Sequence, residues 1–117
     1  MVSKLEHPFD ELIYFSQIKK RPGLFLGKPS LISLRDQLFG MEYAFSFSQQ
    51  SKQLRYFNSF TEWYCETIIK DRNGYAAWWN HILYINGNND VEAFHSFFSL
   101  FELYLSEVHH LCLPETD

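Results

Sequence analysis

NDVEAFHSFFSLFELYLSEV, residues 89–108, carries the strongest periodic signal in the chain. Phe94, Phe97, Phe98, Phe101, Leu105 and Val108 recur at three- and four-residue steps. That is the period of one helical face held over about four turns. Glu92, Ser96, Ser99, Glu102, Ser106 and Glu107 fall largely on the other side. Asn89 and Glu92 have the spacing of a capping box, with Asn in place of the usual Ser or Thr. A helix with four phenylalanines on one face must bury them against other apolar faces. The rest of the chain is therefore read for helices that supply them.

Immediately upstream, NGNND (86–90) is a break. Residues 75–86, YAAWWNHILYIN, have enough aromatic and β-branched content for a strand, but the Trp78, Ile82, Ile85 spacing favours a helix. Residues 54–70 form a helix striped by Phe57, Phe60, Trp63, Tyr64 and Ile68, ended by Asp71-Arg72-Asn73-Gly74. Polar SQQSKQ (48–53) reads as a loop. Residues 31–48 form a helix capped by Ser30, with Leu31, Leu34, Leu38, Met41 and Phe45 as its stripe. Gly40 lies inside it, where a neighbouring helix is expected to pack closely.

The first helix spans 8–20, with Pro8 at its first position and Asp10 and Glu11 in its first turn. Its stripe is Phe9, Leu12, Ile13 and Ile18. Lys19, Lys20 and Arg21 complement its C-terminal dipole, and Pro22-Gly23 stop it. In the following joint, Leu24, Phe25 and Leu26 are expected to tuck onto the core, with a second bend at Gly27. The expectation is an all-α, compact single-domain bundle of about five helices spanning 1–117.

Composition agrees with such a core. Of 117 residues, 46% are hydrophobic and 19% aromatic, which suits one domain and excludes disorder. The net charge is −4, unevenly spread. Residues 1–57 hold eight Lys/Arg and five Asp/Glu, a balance of +3; residues 58–117 hold two and nine, a balance of −7. An acidic C-terminal half argues against nucleic-acid binding, which needs a basic face. It suits steering of a basic partner. No charged leader precedes an apolar run and no run approaches 18 residues, so neither a signal peptide nor a membrane helix is expected. The expected compartment is the cytoplasm, with Cys65 and Cys112 as free thiols.

The motifs of chemistry are weak. His109, His110 and Cys112 are close in sequence, but zinc needs three or four ligands at compatible spacing, and neither HExxH nor CxxC occurs. Cys65 sits between aromatic and acidic neighbours, not in a setting that lowers a thiol pKa. Glu62 and Glu66 share a helical face, as an acid/base pair could, yet with no cleft signature they read as a solvated face. The basic stretch KKRPGLFLGKPS (19–30) is locally similar to the Arg-Pro-Gly-Met-Tyr-Ile-Gly segment of gyrase B type ATPases. The glycine-rich elements those enzymes need are absent from this sequence. A Walker A loop is excluded too, since Gly23 and Gly27 are four apart and Pro29 removes a needed amide. No catalytic residue, metal or cofactor is expected.

A wider resemblance runs through Lys-Lys-Arg-Pro-Gly (19–23), Leu-Phe-Leu-Gly (24–27), Ser30-Leu31, Phe57 to Phe60, Gly74, Trp78, Ile82 and Glu92-Ala93-Phe94 with Phe97 and Phe98. The chain resembles a family of small helical bacterial proteins carrying an Arg-Pro-Gly-x-aromatic-Leu-Gly turn. Some of these are similar to immunity proteins of polymorphic or contact-dependent growth-inhibition toxins. The resemblance implies a non-enzymatic protein that binds and neutralises a cognate toxin domain, plausibly a basic nuclease, by occluding its groove. Glu62, Glu66, Asp71, Asp90, Glu92, Glu102 and Glu107 are then the candidate contacts, with Tyr75, Trp79 and Tyr104 as exposed aromatic anchors. The alternative is a structural or adaptor domain that self-associates or binds another protein. The sequence leaves the oligomeric state open.

Overall fold

Residues 9–47, 54–71 and 78–115 are described by a computed structural model of the chain. Six helices follow one another: α1 (Glu11–Lys20), α2 (Pro22–Leu26), α3 (Leu31–Ser46), α4 (Arg55–Tyr64), α5 (Trp78–Ile85) and α6 (Asp90–Tyr104). No strand occurs among the described residues, so the segment ending at Ile85 is helical where it is described. Five helices have eight residues or more, and α2 is a single turn. The fold is an all-α bundle.

The phenylalanine-rich helix is its central column. Ala93, Phe94, Phe97, Phe98, Phe101 and Tyr104 of α6 are all buried. Phe15 of α1 meets Phe101 with ring centroids 4.8 Å apart. Phe60 of α4 contacts Phe97 and Phe101, each at 5.5 Å and nearly edge-on. Trp78 of α5 lies 5.7 Å from Phe97. Edge-to-face and offset pairs suit the aromatic quadrupole, so three helices dock on one aromatic row with favourable ring geometry. The Leu31, Leu34, Leu38 stripe of α3 completes the core.

Three expectations about helix faces are corrected. In α1 the buried positions are Glu11, Phe15, Ser16 and Ile18, whereas Ile13 points outward. The helix carries apolar residues on two faces, and Phe15 rather than Ile13 is the one that reaches α6. In α5, Trp78, Ile82 and Leu83 are buried and Ile85 is exposed. Val108 is also exposed, because α6 continues as a wider i→i+5 turn over Leu105–His109. The slower rotation per residue takes Val108 off the buried stripe.

The helix ends follow local chemistry, with one exception. Asn89 accepts from the Glu92 amide at 3.0 Å and Ser30 from the Ser33 amide at 3.0 Å. Asp10, not Pro8, starts α1: its backbone is extended and its carboxylate accepts from the Ile13 amide. Pro8 itself lies outside the described residues. Gly40 is exposed, and no atom beyond its own turn lies within 4 Å of where its Cβ would sit. No helix of the described fold packs on it. The exception is α4, whose N-cap is Leu54, a residue with no side-chain acceptor.

The basic joint after α1 is a turn of helix rather than a loop. Pro22 occupies the first position of α2, and Gly27 ends it at φ 84°, a left-handed backbone that glycine adopts at no steric cost. The Gly27 amide bonds the Gly23 carbonyl and the Leu24 amide the Arg21 carbonyl. Phe25 and Leu26 pack against the core as expected, but Leu24 is 72% exposed.

Candidate partner-binding surfaces

The residues expected to meet a partner separate into different environments. Glu62 and Glu66 are exposed one turn apart, Glu62 on α4 and Glu66 on the i→i+5 turn Cys65–Ile69 that extends it. Lys70 ends that turn at φ 65°, and exposed Asp71 donates its amide to the Cys65 carbonyl. Glu62 and Glu66 therefore follow one another along α4 and its extension, and Asp71 comes just past their end. Glu92 lies exposed in the first turn of α6, and Glu107 lies exposed on the i→i+5 turn that follows it. Glu102 faces α1, where it pairs with Lys19 at 2.6 Å. Tyr75 lies outside the described residues.

Three other members have structural tasks. Asp90 opens α6 and accepts from the Ser30 hydroxyl and the Ile32 amide, so it clasps the start of α3 to the start of α6. Trp79 is half-buried beneath Arg35, whose guanidinium carbon lies 4.4 Å from the ring centroid. Tyr104, expected as an exposed anchor, is 1% exposed. Its ring packs on Phe60 and Trp63 while its hydroxyl and His109 Nε2 share a hydrogen bond at 2.8 Å. Burial raises the tyrosine's pKa. A tyrosine can sit in a core when its hydroxyl finds a partner, and periodicity does not show whether one is available.

His109 also touches the Tyr56 ring edge-on at 5.0 Å, which joins the end of α6 to the start of α4. Tyr64 and His81 Nδ1 make a comparable bridge between α4 and α5 at 2.7 Å, and burial pushes the Tyr64 hydroxyl up to about 12. The Cys65 thiol is pushed up by burial, then by Asp71 and Glu66. Among the described residues no group of three or more His, Cys, Asp or Glu is placed to hold a metal ion. No helix of the described residues is long and apolar enough to cross a membrane.

The missing cap of α4 is supplied across the fold. Glu11 on α1 is buried, and its two carboxylate oxygens accept from the Tyr56 and Phe57 amides at 2.9 and 2.7 Å. Burial raises its pKa from 4.5 to about 7, against the opposing pull of those amides and of Arg55. Sequence placed Glu11 at the dipole of its own helix; its actual task is at another.

Sequence also missed an exposed aromatic row on α3 and its C-cap, Phe47. Phe39, Tyr43 and Phe47 follow at four-residue steps and are 49%, 70% and 75% exposed. Tyr43 and Phe47 meet edge-on at 4.9 Å. Their spacing was a usable signal, a second stripe turned away from Leu31, Leu34 and Leu38. Exposed aromatic clusters of this kind mark contact surfaces.

One open cavity of about 440 Å³ lies between α1, α6 and the C-terminal tail, lined by Ser16, Lys19, Lys20, Glu102, Leu113 and Pro114 among others. The Lys19–Glu102 pair and the Ser16–Pro114 hydrogen bond already occupy much of its polar lining. Comparison with protein-family models, curated proteins and solved structures finds no match.

Proposed function

We propose that this chain is an immunity protein that binds a cognate bacterial toxin domain, such as a nuclease, and blocks its substrate groove. The observation that carries the reading is the set of exposed acidic residues on α4, on its extension and just past it, Glu62, Glu66 and Asp71, in a half of the chain with a balance of −7. A nuclease groove is basic, and an acidic surface competes with phosphates for it without any chemistry. Glu92 on α6 and Glu107 on the turn after it are further exposed acidic residues of this half. The resemblance of the Arg-Pro-Gly-x-aromatic-Leu-Gly turn to the immunity-like family points the same way.

Co-expression with the toxin domain encoded immediately upstream tests the reading. Survival of the cells, and a complex that persists through purification, are the expected results. Cell death with no recoverable complex would reject it. The α3 aromatic row favours a second reading, an adaptor that binds protein through that helix, and it predicts no protection against a toxin.

A further inference from the structure

Two neighbouring four-residue rows run along the outer side of α3 and its C-cap. One is the ridge Phe39, Tyr43, Phe47; the other is Asp36, Gly40, Ala44, all three exposed. The Gly40–Ala44 part of the second row is a groove, since Gly40 has no Cβ, Ala44 has one carbon, and no atom of the described fold beyond its own turn fills the space above Gly40; Asp36, paired with Arg35 at 2.7 Å, bounds it at one end. A ridge beside a groove on the same helix is complementary to itself. Turned about a two-fold axis, the ridge of one copy lies in the groove of the other and the reverse. This is packing of four-residue ridges, with helices crossing at about −50°.

We propose that a second copy of this chain docks on this face, pairing α3 with α3 antiparallel about a two-fold axis, with the Tyr43 ring of each copy seated over Gly40 and Ala44 of the other. The proposal rests on α3 as a contact surface and is independent of toxin binding. Area sets the strength. With roughly 200 Å² for a whole aromatic side chain, the exposed parts of the three rings offer about 400 Å² per copy. Both copies together give about 800 Å² before the flanking residues are counted, which places the pair in the class of small, transient interfaces below about 1,200 Å². The dimer therefore forms at high concentration and dissociates on dilution.

Sedimentation equilibrium of the full chain, from about 5 μM to 1 mM, reads this directly. The expected mass rises with concentration from the 14.0 kDa monomer towards twice that value. Gly40→Gln fills the groove from an exposed helical position and should weaken association at least tenfold. Its thermal midpoint should be no lower than the parent's, because glutamine is the better helix former. Tyr43→Lys should weaken association similarly. A monomeric mass across the whole range overturns the proposal, and so does association that Gly40→Gln and Tyr43→Lys leave unchanged. Loss of toxin protection with self-association intact would reject the toxin reading alone.

Discussion

The Glu11 carboxylate receives the Phe57 amide at 2.7 Å, so the first turn of α1 caps the first turn of α4 across 46 positions of sequence. Because burial raises this group to about 7, the folded chain keeps a proton that the unfolded chain releases from about 4.5 upward. Where the folded state binds more protons, stability falls as pH rises. Protonated Glu11 therefore favours folding at low pH, and that contribution is lost as pH rises through about 7. The urea midpoint of the parent should fall between pH 5 and 8, by up to about 3 kcal/mol in stability at about 1.4 kcal/mol per pKa unit. In Glu11→Gln this part of the slope should vanish. Parallel pH profiles for the two proteins would refute the assignment.

Asp90 and Ser30 join two helix starts, so each should cost about 1–2 kcal/mol when replaced by alanine. Since they share a hydrogen bond, the costs should not add. A double-mutant cycle in urea should show a coupling of at least about 0.5 kcal/mol. Simple additivity would mean that the clasp contributes nothing.

Phe101→Ala removes a ring packed against Phe15 and Phe60 and should cost about 3–5 kcal/mol. Val108→Ala should change stability by less than about 0.5 kcal/mol, since the wider turn leaves Val108 outside the core. Comparable losses from the two, measured by thermal unfolding, would restore Val108 to the buried stripe.

Two glycines should respond with opposite signs. Gly27→Ala meets a left-handed backbone and should destabilise by about 1 kcal/mol. Gly40→Ala lies in an exposed helix interior with open space and should stabilise by about 1 kcal/mol. Equal signs in a denaturant titration would contradict the assigned backbone at one of the two sites.

These residues also show how far sequence reaches. Asn89 and Ser30 act on amides three residues away, and the Phe94–Leu105 stripe repeats within one helix, so local pattern suffices for both. Glu11 caps a helix 45 residues downstream, and no local rule exposes such a partner. Ile13 and Phe15 compete for one buried face of α1, and only the docking of α1 on α6 chooses between them. Tyr104 is buried because His109 is there to meet its hydroxyl, a pairing created by the turn that ends α6. The acidic residues were legible as charge. Which of them remain exposed, as Glu62, Glu66 and Asp71 do, depends on packing.

Association kinetics with the toxin domain encoded immediately upstream, followed by stopped-flow across a salt series, test the proposed toxin binding most directly. Reversing Glu62 and Glu66 to lysine should slow association at least about tenfold at low salt and flatten its salt dependence, because rim charges act chiefly on the encounter rate. Rates and salt dependence identical to the parent's would contradict binding through this face.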